Sequence, residues 1–325
     1  MAEQTKKLED YIIDHPINKS NLQELLASFD RDLFIPFVGA GPSTVLGEPE
    51  WKDLFIKLCK ALNVKHVKRK KQPDGSVDYP KSFSRLFSIA QEQSKFYPEL
   101  FKIIEPTKTS ATYFHRRLVQ AFDCYITTNF DSPIEVAFSD TYPDHKLIKQ
   151  YFSCYGLKNI DNSIVYLHGH KDINFCIIKT EDYNYFYPSI GDEPDGIPIL
   201  EDFLTEVFTR RSIVFVGFSF SDKYIEKLLR YIHARNAPRH PHYWFLSESF
   251  ESYKSIKQRS DKLKKDGDII KAEHIMAQFY SGQMNIKPIV YKQENHVFLD
   301  NLLHKLSESK PVDTTPGEIS GTPVR

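Results

Sequence analysis

The chain has 325 residues, 41% of them hydrophobic and 26% charged, with 43 Lys and Arg balanced by 43 Asp and Glu. That length gives about two domains, or one α/β domain with insertions, and a core large enough to need neither disulfides nor a metal. The balanced charge excludes a strongly basic nucleic-acid binder. No apolar run approaches the roughly 20 residues that span a bilayer. The opening MAEQTKKLEDY has no apolar signal region, so the expectation is a cytoplasmic protein with no membrane partner.

Residues 1–30 read as two short amphipathic helices, with Leu8, Tyr11 and Ile12 forming one apolar stripe and Leu22, Leu25, Leu26 and Phe29 the next. The short apolar run 33–38 (LFIPFV) then meets Gly39-Ala40-Gly41, as a buried parallel strand ends in a tight turn. Helical spacing returns over residues 51–62. Residues 63–111 hold a basic run, a turn at Gln72-Pro73-Asp74-Gly75 and helical stretches near 83–89 and 100–104, which reads as a helical insertion after the first βα unit. Further strands are expected at 124–127, 163–167, 175–178, 212–216, 243–246 and 288–291. Helices are expected at 112–122, after Asp131, at 200–209, 222–234 and 296–306. Short apolar strands alternating with helices predict an α/β fold, a Rossmann-like parallel sheet flanked by helices. Residues 31–306 form its one domain, and the tail 307–325, rich in Pro, Thr, Ser and Gly, reads as disordered.

Cys59, Cys124, Cys154 and Cys176 lie far apart with no C-x-x-C pair, which supports neither a zinc module nor a disulfide framework. His233, His240 and His242 lack an acidic or Cys neighbour and read as a turn entering a strand, so no metal is expected. The run Lys65, His66, Lys68, Arg69, Lys70 and Lys71 reads first as a solvated loop and second as a weak nucleic-acid contact.

Ligands of an open parallel sheet bind beyond the carboxyl ends of its strands, and four such loops carry more polarity than a turn needs. In Gly39-Ala40-Gly41-Pro42-Ser43 the glycines bring backbone N–H groups close to a pyrophosphate and Ser43 adds a hydroxyl. The same residues also suit an ordinary β-to-α turn. Thr44 stands where the dehydrogenase fingerprint needs glycine. In Thr127-Thr128-Asn129-Phe130-Asp131 the acid also suits a helix cap, which leaves Asn129 unexplained. His168 in Leu167-His168-Gly169-His170 sets an imidazole at the sheet edge, where a structural histidine would serve as well. Gly217-Phe218-Ser219-Phe220-Ser221-Asp222 repeats the glycine–hydroxyl pattern, with Ser221 or Asp222 an alternative cap.

Taken in this order, GAGPS, TTNFD, LHG and GFSFSD resemble the motif series of sirtuin-type NAD-consuming domains, most closely the divergent bacterial branch used in anti-phage defence. The ending IVYKQENHVFLDNLLHKL is similar to that branch as well. The resemblance implies an NAD+ hydrolase that releases nicotinamide and ADP-ribose. Asn129 and His168 would be its catalytic pair, and Gly39, Ala40, Gly41 and Ser43 its pyrophosphate cradle. Asp131 would hold the nicotinamide carboxamide, with Gly217 and Ser219 along the adenosine ribose and phosphates; from their place just past the last strand, Glu294 and Asn295 are candidate adenosine neighbours. Protein-deacylating sirtuins carry a four-cysteine zinc module and a G-I-P-D-F-R stretch. Here the first is absent and the second is replaced by Gly47-Glu48-Pro49-Glu50-Trp51, which points to water as the acceptor. The resemblance also implies a homo-oligomer gated by a partner in trans such as a HerA-type hexameric ATPase. Two alternatives stand beside it: a non-catalytic NAD or ADP-ribose sensor, which would not need His168, and a nuclease or scaffold subunit of a defence complex.

Overall fold

A computed structural model describes residues 7–12, 14, 16–47, 49, 51–65, 67–71, 77–104, 111–153, 162–190, 196–218, 220, 222–235, 239–247, 282–292 and 297–308. Of the positions singled out above, Glu48, Glu50, His66, the turn at Gln72-Pro73-Asp74-Gly75, Cys154, Ser219, Ser221, Glu294, Asn295 and the tail beyond residue 308 lie outside the described residues.

In chain order the strands are β1 (Phe34–Val38), β2 (Lys70–Lys71), β3 (Val77–Asp78), β4 (Cys124–Thr127), β5 (Ile148–Tyr151), β6 (Ser163–Tyr166), β7 (Gly169–His170), β8 (Phe175–Cys176), β9 (Ser212–Val216), β10 (His242–Ser247) and β11 (Ile286–Tyr291). The helices are α1 (Pro16–Ser28), α2 (Trp51–Ala61), α3 (Tyr79–Ile89), α4 (Phe96–Ile104), α5 (Tyr113–Ala121), α6 (Pro133–Thr141), α7 (Thr180–Phe186), α8 (Ile199–Arg210), α9 (Lys223–Arg235) and, near the end, α10 (Val297–Glu308). Short 3-10 turns cover Leu8–Tyr11 and Gly41–Leu46, so the first expected amphipathic helix is a single turn.

Seven strands form one parallel sheet in the order β11-β10-β9-β1-β4-β6-β5. With the edge strand β5 set aside, the other six numbered in chain order read 3-2-1-4-5-6, the doubly wound arrangement. Its switch point falls between β1 and β9. The expected Rossmann-like α/β fold is therefore the observed one, with two differences. Residues 148–151 form an edge strand, and residues 175–178 supply only the two-residue β8, antiparallel to β7 and outside the main sheet. The run 175–178 is apolar because Cys176 and Ile178 pack against the helical insertion rather than within the sheet.

Side-chain alternation sorts the strands onto two cores. Ile35 and Phe37 of β1, with Ile213 and Phe215 of β9, face α7, α8 and α9. Phe34 and Val38, with Val214 and Val216, face α1, α5, α6 and α10. A third cluster gathers Leu54, Phe55 and Leu58 of α2, Phe83 and Leu86 of α3, and Phe96, Leu100 and Ile104 of α4, so the helices within residues 63–111 pack on the helix that follows β1. Pro36 lies in the central strand. It has no N–H, and β1 pairs with β4 only beyond it, at Phe37 and Val38, although it pairs with β9 from Phe34 onward.

The edge strand β11 is closed by side chains. Asn18 of α1 donates Nδ2 to the Val290 carbonyl at 2.8 Å and accepts the Val290 N–H at 2.8 Å. Asn21 donates to the Pro288 carbonyl at 2.8 Å. Two buried carboxamides thus stand in for a neighbouring strand, which removes an open edge.

His242 opens β10 fully buried, and its Nδ1 accepts the Ile213 N–H at 3.1 Å. Burial, with His233 and His240 nearby, lowers its pKa from 6.5 to about 3. The unfolded chain takes up a proton there before the folded one does, so stability present above pH 6.5 is lost as the pH falls toward about 3. Thermal melts between those limits should show a declining midpoint. His242→Asn keeps an acceptor for Ile213 and should flatten the decline; parallel curves for the two proteins would exclude His242 as a source of it.

Candidate active site at the switch point

The site begins with two loops that touch backbone to backbone. Gly39 N–H donates to the Val216 carbonyl at 2.9 Å and Gly41 N–H to the Gly217 carbonyl at 3.1 Å. A Cβ at Gly39 would lie 2.5 Å from the Gly217 oxygen, and one at Gly41 would lie 2.8 Å from the Gly217 Cα. Gly217 has φ +61°, and a Cβ there would come within 2.2 Å of Pro42 Cδ. Glycine at these positions lets the ends of β1 and β9 meet, and the Gly39 and Gly41 amides are committed to β9. This differs from the expected cradle of free amide donors. The polar atom the loop leaves over is Ser43 Oγ, buried and without a hydrogen-bond partner.

Gly217→Ala should destabilise the fold by about 2 kcal/mol or more, because it combines a positive φ with a clash against a proline ring. Chemical denaturation measures this directly. A loss below about 0.5 kcal/mol would mean that the two loops do not pack this closely.

The end of β4 is tied to the same loop. Thr127 Oγ1 donates to the Val38 carbonyl at 2.9 Å and accepts the Asn129 N–H at 3.0 Å. Asn129 Nδ2 then donates to the Gly39 carbonyl at 3.1 Å, so the carboxamide is held across β4 and β1 with its oxygen turned away from that carbonyl. Asn129 is 9% exposed and Asp131 8%. Asp131 Oδ2 is buried with no hydrogen-bond partner, and the N-cap position of α6 belongs to Ser132. The capping alternative for Asp131 therefore does not account for its side chain.

His115, on the first turn of α5, faces this acid. It is almost fully buried, its Nδ1 lies 2.5 Å from the Thr112 hydroxyl, and burial lowers its pKa to about 4 against the opposing pull of Asp131. Nothing in the sequence reading marked His115, because a single histidine in a helical pattern looks like any other amphipathic position.

His168 follows β6, beside β4. The Leu167 N–H donates to the Thr127 carbonyl at 2.9 Å, so Asn129 and His168 sit on adjacent strand ends. Gly169, at φ +87°, turns the chain into the β7–β8 hairpin, where a Cβ would meet the Phe175 carbonyl at 2.3 Å. The His168 ring is buried edge-on to Tyr183, centroids 5.3 Å apart, with Nε2 3.0 Å from the Tyr187 hydroxyl and 3.8 Å from Asp222 Oδ2. Burial holds its pKa below the usual histidine value, against the opposing charge of Asp222, so the ring is neutral near pH 7. Among the described residues Asn129 and His168 share no hydrogen-bond partner: the carboxamide reaches β1 and the imidazole reaches α7.

The neighbouring His170 belongs to a different arrangement. It is fully buried against Tyr166 and contacts Ser132, Glu135 and Asp172, while Lys149 bridges Glu135 at 2.6 Å and Asp172 at 2.7 Å. Among the described residues no group of three or more His, Cys, Asp or Glu could hold a metal ion, and Cys59 and Cys176 are free thiols. Nor is any described helix long and apolar enough to cross a membrane.

Residues 123–269, which carry the strand ends with Asn129, His168 and Gly217, match the family model of the SIR2-like domain. The NAD(+) hydrolase ThsA of Enterococcus faecium is 27% identical over 135 residues, 40% of this chain and 27% of that protein. Defense-associated sirtuin 2 of Bacillus subtilis is 24% identical over 222 residues, covering 65% and 20%. The NAD(+) hydrolase ThsA of Cytobacillus dafuensis is 24% identical over 304 residues, covering 89% and 56%. The chain thus spans between a fifth and just over half of the length of these relatives. Over residues 123–269 the chain is thus similar to SIR2-like domains, and that stretch carries TTNFD after β4, LHG after β6 and the Gly217 loop after β9 of a doubly wound sheet.

Proposed function

We propose that the chain is an NAD+ glycohydrolase, the effector of a bacterial anti-phage defence system that acts by draining cytoplasmic NAD. The observation that carries this reading is the pairing of Asn129 and a neutral His168 on adjacent strand ends beside the β1–β9 switch point. Two buried polar atoms without partners, Ser43 Oγ and Asp131 Oδ2, support a dinucleotide there, since unmatched buried groups in a native fold call for a ligand or water. Relatives named as NAD(+) hydrolases and a defence-associated sirtuin support the same reading.

In the reaction the bond between the nicotinamide nitrogen and ribose C1′ breaks with its electron pair going to nicotinamide, a neutral leaving group. A water oxygen bonds to C1′, and the water's second proton is released: NAD+ and water give nicotinamide, ADP-ribose and H+. Asn129, held by Gly39, orients the water or ribose against C1′. His168, uncharged, accepts a proton from a ribose hydroxyl or that water. Asp131 takes the carboxamide of nicotinamide, Ser43 the pyrophosphate, and the Gly217 loop with Ser219 runs along the adenosine ribose and phosphates.

Unrestrained turnover would kill the cell, so the proposal includes gating by homo-oligomerisation and by a partner in trans such as a HerA-type ATPase. The exposed basic residues Lys65, Lys68, Arg69, Lys70 and Lys71 are read as a solvated surface rather than a nucleic-acid contact.

Nicotinamide release measured by chromatography, on the chain alone and with candidate partners, tests the proposal. Asn129→Ala and His168→Ala should each reduce release by about 100-fold or more. A His168→Ala protein as fast as wild type would refute the role given to the pair.

A further inference from the structure

Asp222 directs its two carboxylate oxygens to different tasks. Oδ1 accepts the backbone N–H groups of Tyr224 at 2.9 Å and Ile225 at 3.2 Å, which caps α9. Oδ2 accepts the Tyr183 hydroxyl at 3.2 Å and lies 3.8 Å from His168 Nε2. The cap alone explains an acid at the start of α9, and either a serine or an asparagine would do as well there. It leaves unexplained why the second oxygen is steered by a buried tyrosine toward a buried imidazole.

We infer that Asp222 is a positioning residue for His168, holding a negative charge beside Nε2 so that the ring keeps its proton there and takes the substrate's proton on Nδ1; this rests on the reading of His168 as the base. Nε2 is engaged by the Tyr187 hydroxyl at 3.0 Å and by Asp222, whereas Nδ1 has no hydrogen-bond partner among the described residues. Nδ1 is therefore the ring atom left for chemistry. When it accepts a proton the imidazole becomes a cation inside an aromatic enclosure, a costly state without a facing anion. Asp222 supplies the facing carboxylate, the logic by which a buried acid supports a catalytic histidine.

Among the described residues the enclosure contains no competing charge. Tyr183 and Tyr187 of the α7 segment are the titratable groups that face the ring from one side, and burial pushes both phenols up, so they stay protonated. Asp222, from the start of α9, is the one charged group among the described residues that acts on the ring. Tyr224 stacks on Tyr183 at 4.6 Å and donates its hydroxyl to Asn184 at 2.9 Å, so the tyrosine that aims Oδ2 is itself held from behind.

Asp222→Asn keeps a side-chain oxygen for the cap and removes the charge, which separates the two tasks. Two readouts follow on the full chain. The first is the ¹⁵N and ¹H imidazole titration of His168, its signals assigned by their loss in His168→Gln. In Asp222→Asn its midpoint should move to lower pH and the Nε2–H tautomer should lose population. The second is nicotinamide release in the active assembly: kcat should fall at least about tenfold with KM changed less than about twofold, and the acid limb of the pH profile should move to lower pH. A purely structural role would lower the melting temperature and leave the acid limb in place. If Asp222→Asn does not fold, Tyr183→Phe leaves the cap intact, frees Oδ2, and should move the titration in the same direction by less. An unchanged His168 midpoint in either folded variant overturns the inference. A shifted midpoint in a protein that releases no nicotinamide in any assembly would establish the His168–Asp222 coupling and refute the hydrolase reading instead.

Discussion

The close approach of the β1 and β9 loop backbones is the constraint on which the rest of the site depends. Gly39, Gly41 and Gly217 let two strand ends meet with no side chain between them, and the amide protons of the first two bind the carbonyls of Val216, the last residue of β9, and of Gly217 just after it. The Gly39 carbonyl then points toward β4 and anchors Asn129, while Thr127 clamps the same strand ends one residue earlier. A parallel sheet opens a crevice wherever its strand order reverses. Here the two loops meet backbone to backbone at Gly39, Gly41 and Gly217, so that contact does not depend on rotamers. Polar side chains can therefore be held at its rim by hydrogen bonds to main-chain atoms of neighbouring strands.

From this rim the two proposed catalytic groups are served by separate halves of the molecule. Asn129 takes its orientation from the central strands, and His168 takes its own from α7 and the start of α9. Buried polar groups are costly unless matched, and the matched ones here make a rigid frame. Thr127, Asn129, Tyr183, Tyr187 and Asp222 all have partners, whereas Ser43 Oγ and Asp131 Oδ2 do not. Of the buried atoms without partners among the described residues, these two belong to the loops that the hydrolase reading turns toward the dinucleotide; the others, such as Tyr97 Oη and His233 Nδ1, lie away from them.

Much of the fold was legible because central strands and amphipathic helices write strong patterns. The strands ending in Gly39, Thr128, Leu167 and Gly217 are short, apolar and abruptly terminated, and they form β1, β4, β6 and β9 with boundaries within a residue. Edge elements escape this reading. In β5, Ile148-Lys149-Gln150-Tyr151 has the mixed composition of a strand with one open side, and residues 175–178 owe their apolarity to the insertion they cover. The motif residues of the site could be named from their order along the chain, but their partners could not. Tyr187 and Asp222 meet His168 only through the packing of α7 against α9, and Asp222 looks like a helix cap because it is one. Asn18 and Asn21, which seal β11, come from a helix some 270 residues away and leave no local trace. Long-range hydrogen bonds between single side chains carry no periodicity, and periodicity is what a lone sequence offers.

The most direct test of the account is an experimental structure of the chain with ADP-ribose bound. The account predicts the pyrophosphate beside Ser43 above the Gly39–Gly217 contact, and ribose C1′ between the Asn129 carboxamide and the His168 ring, with Nδ1 toward a ribose hydroxyl. ADP-ribose seated elsewhere on the sheet edge, or a ribose reaching only one of those two side chains, would contradict it.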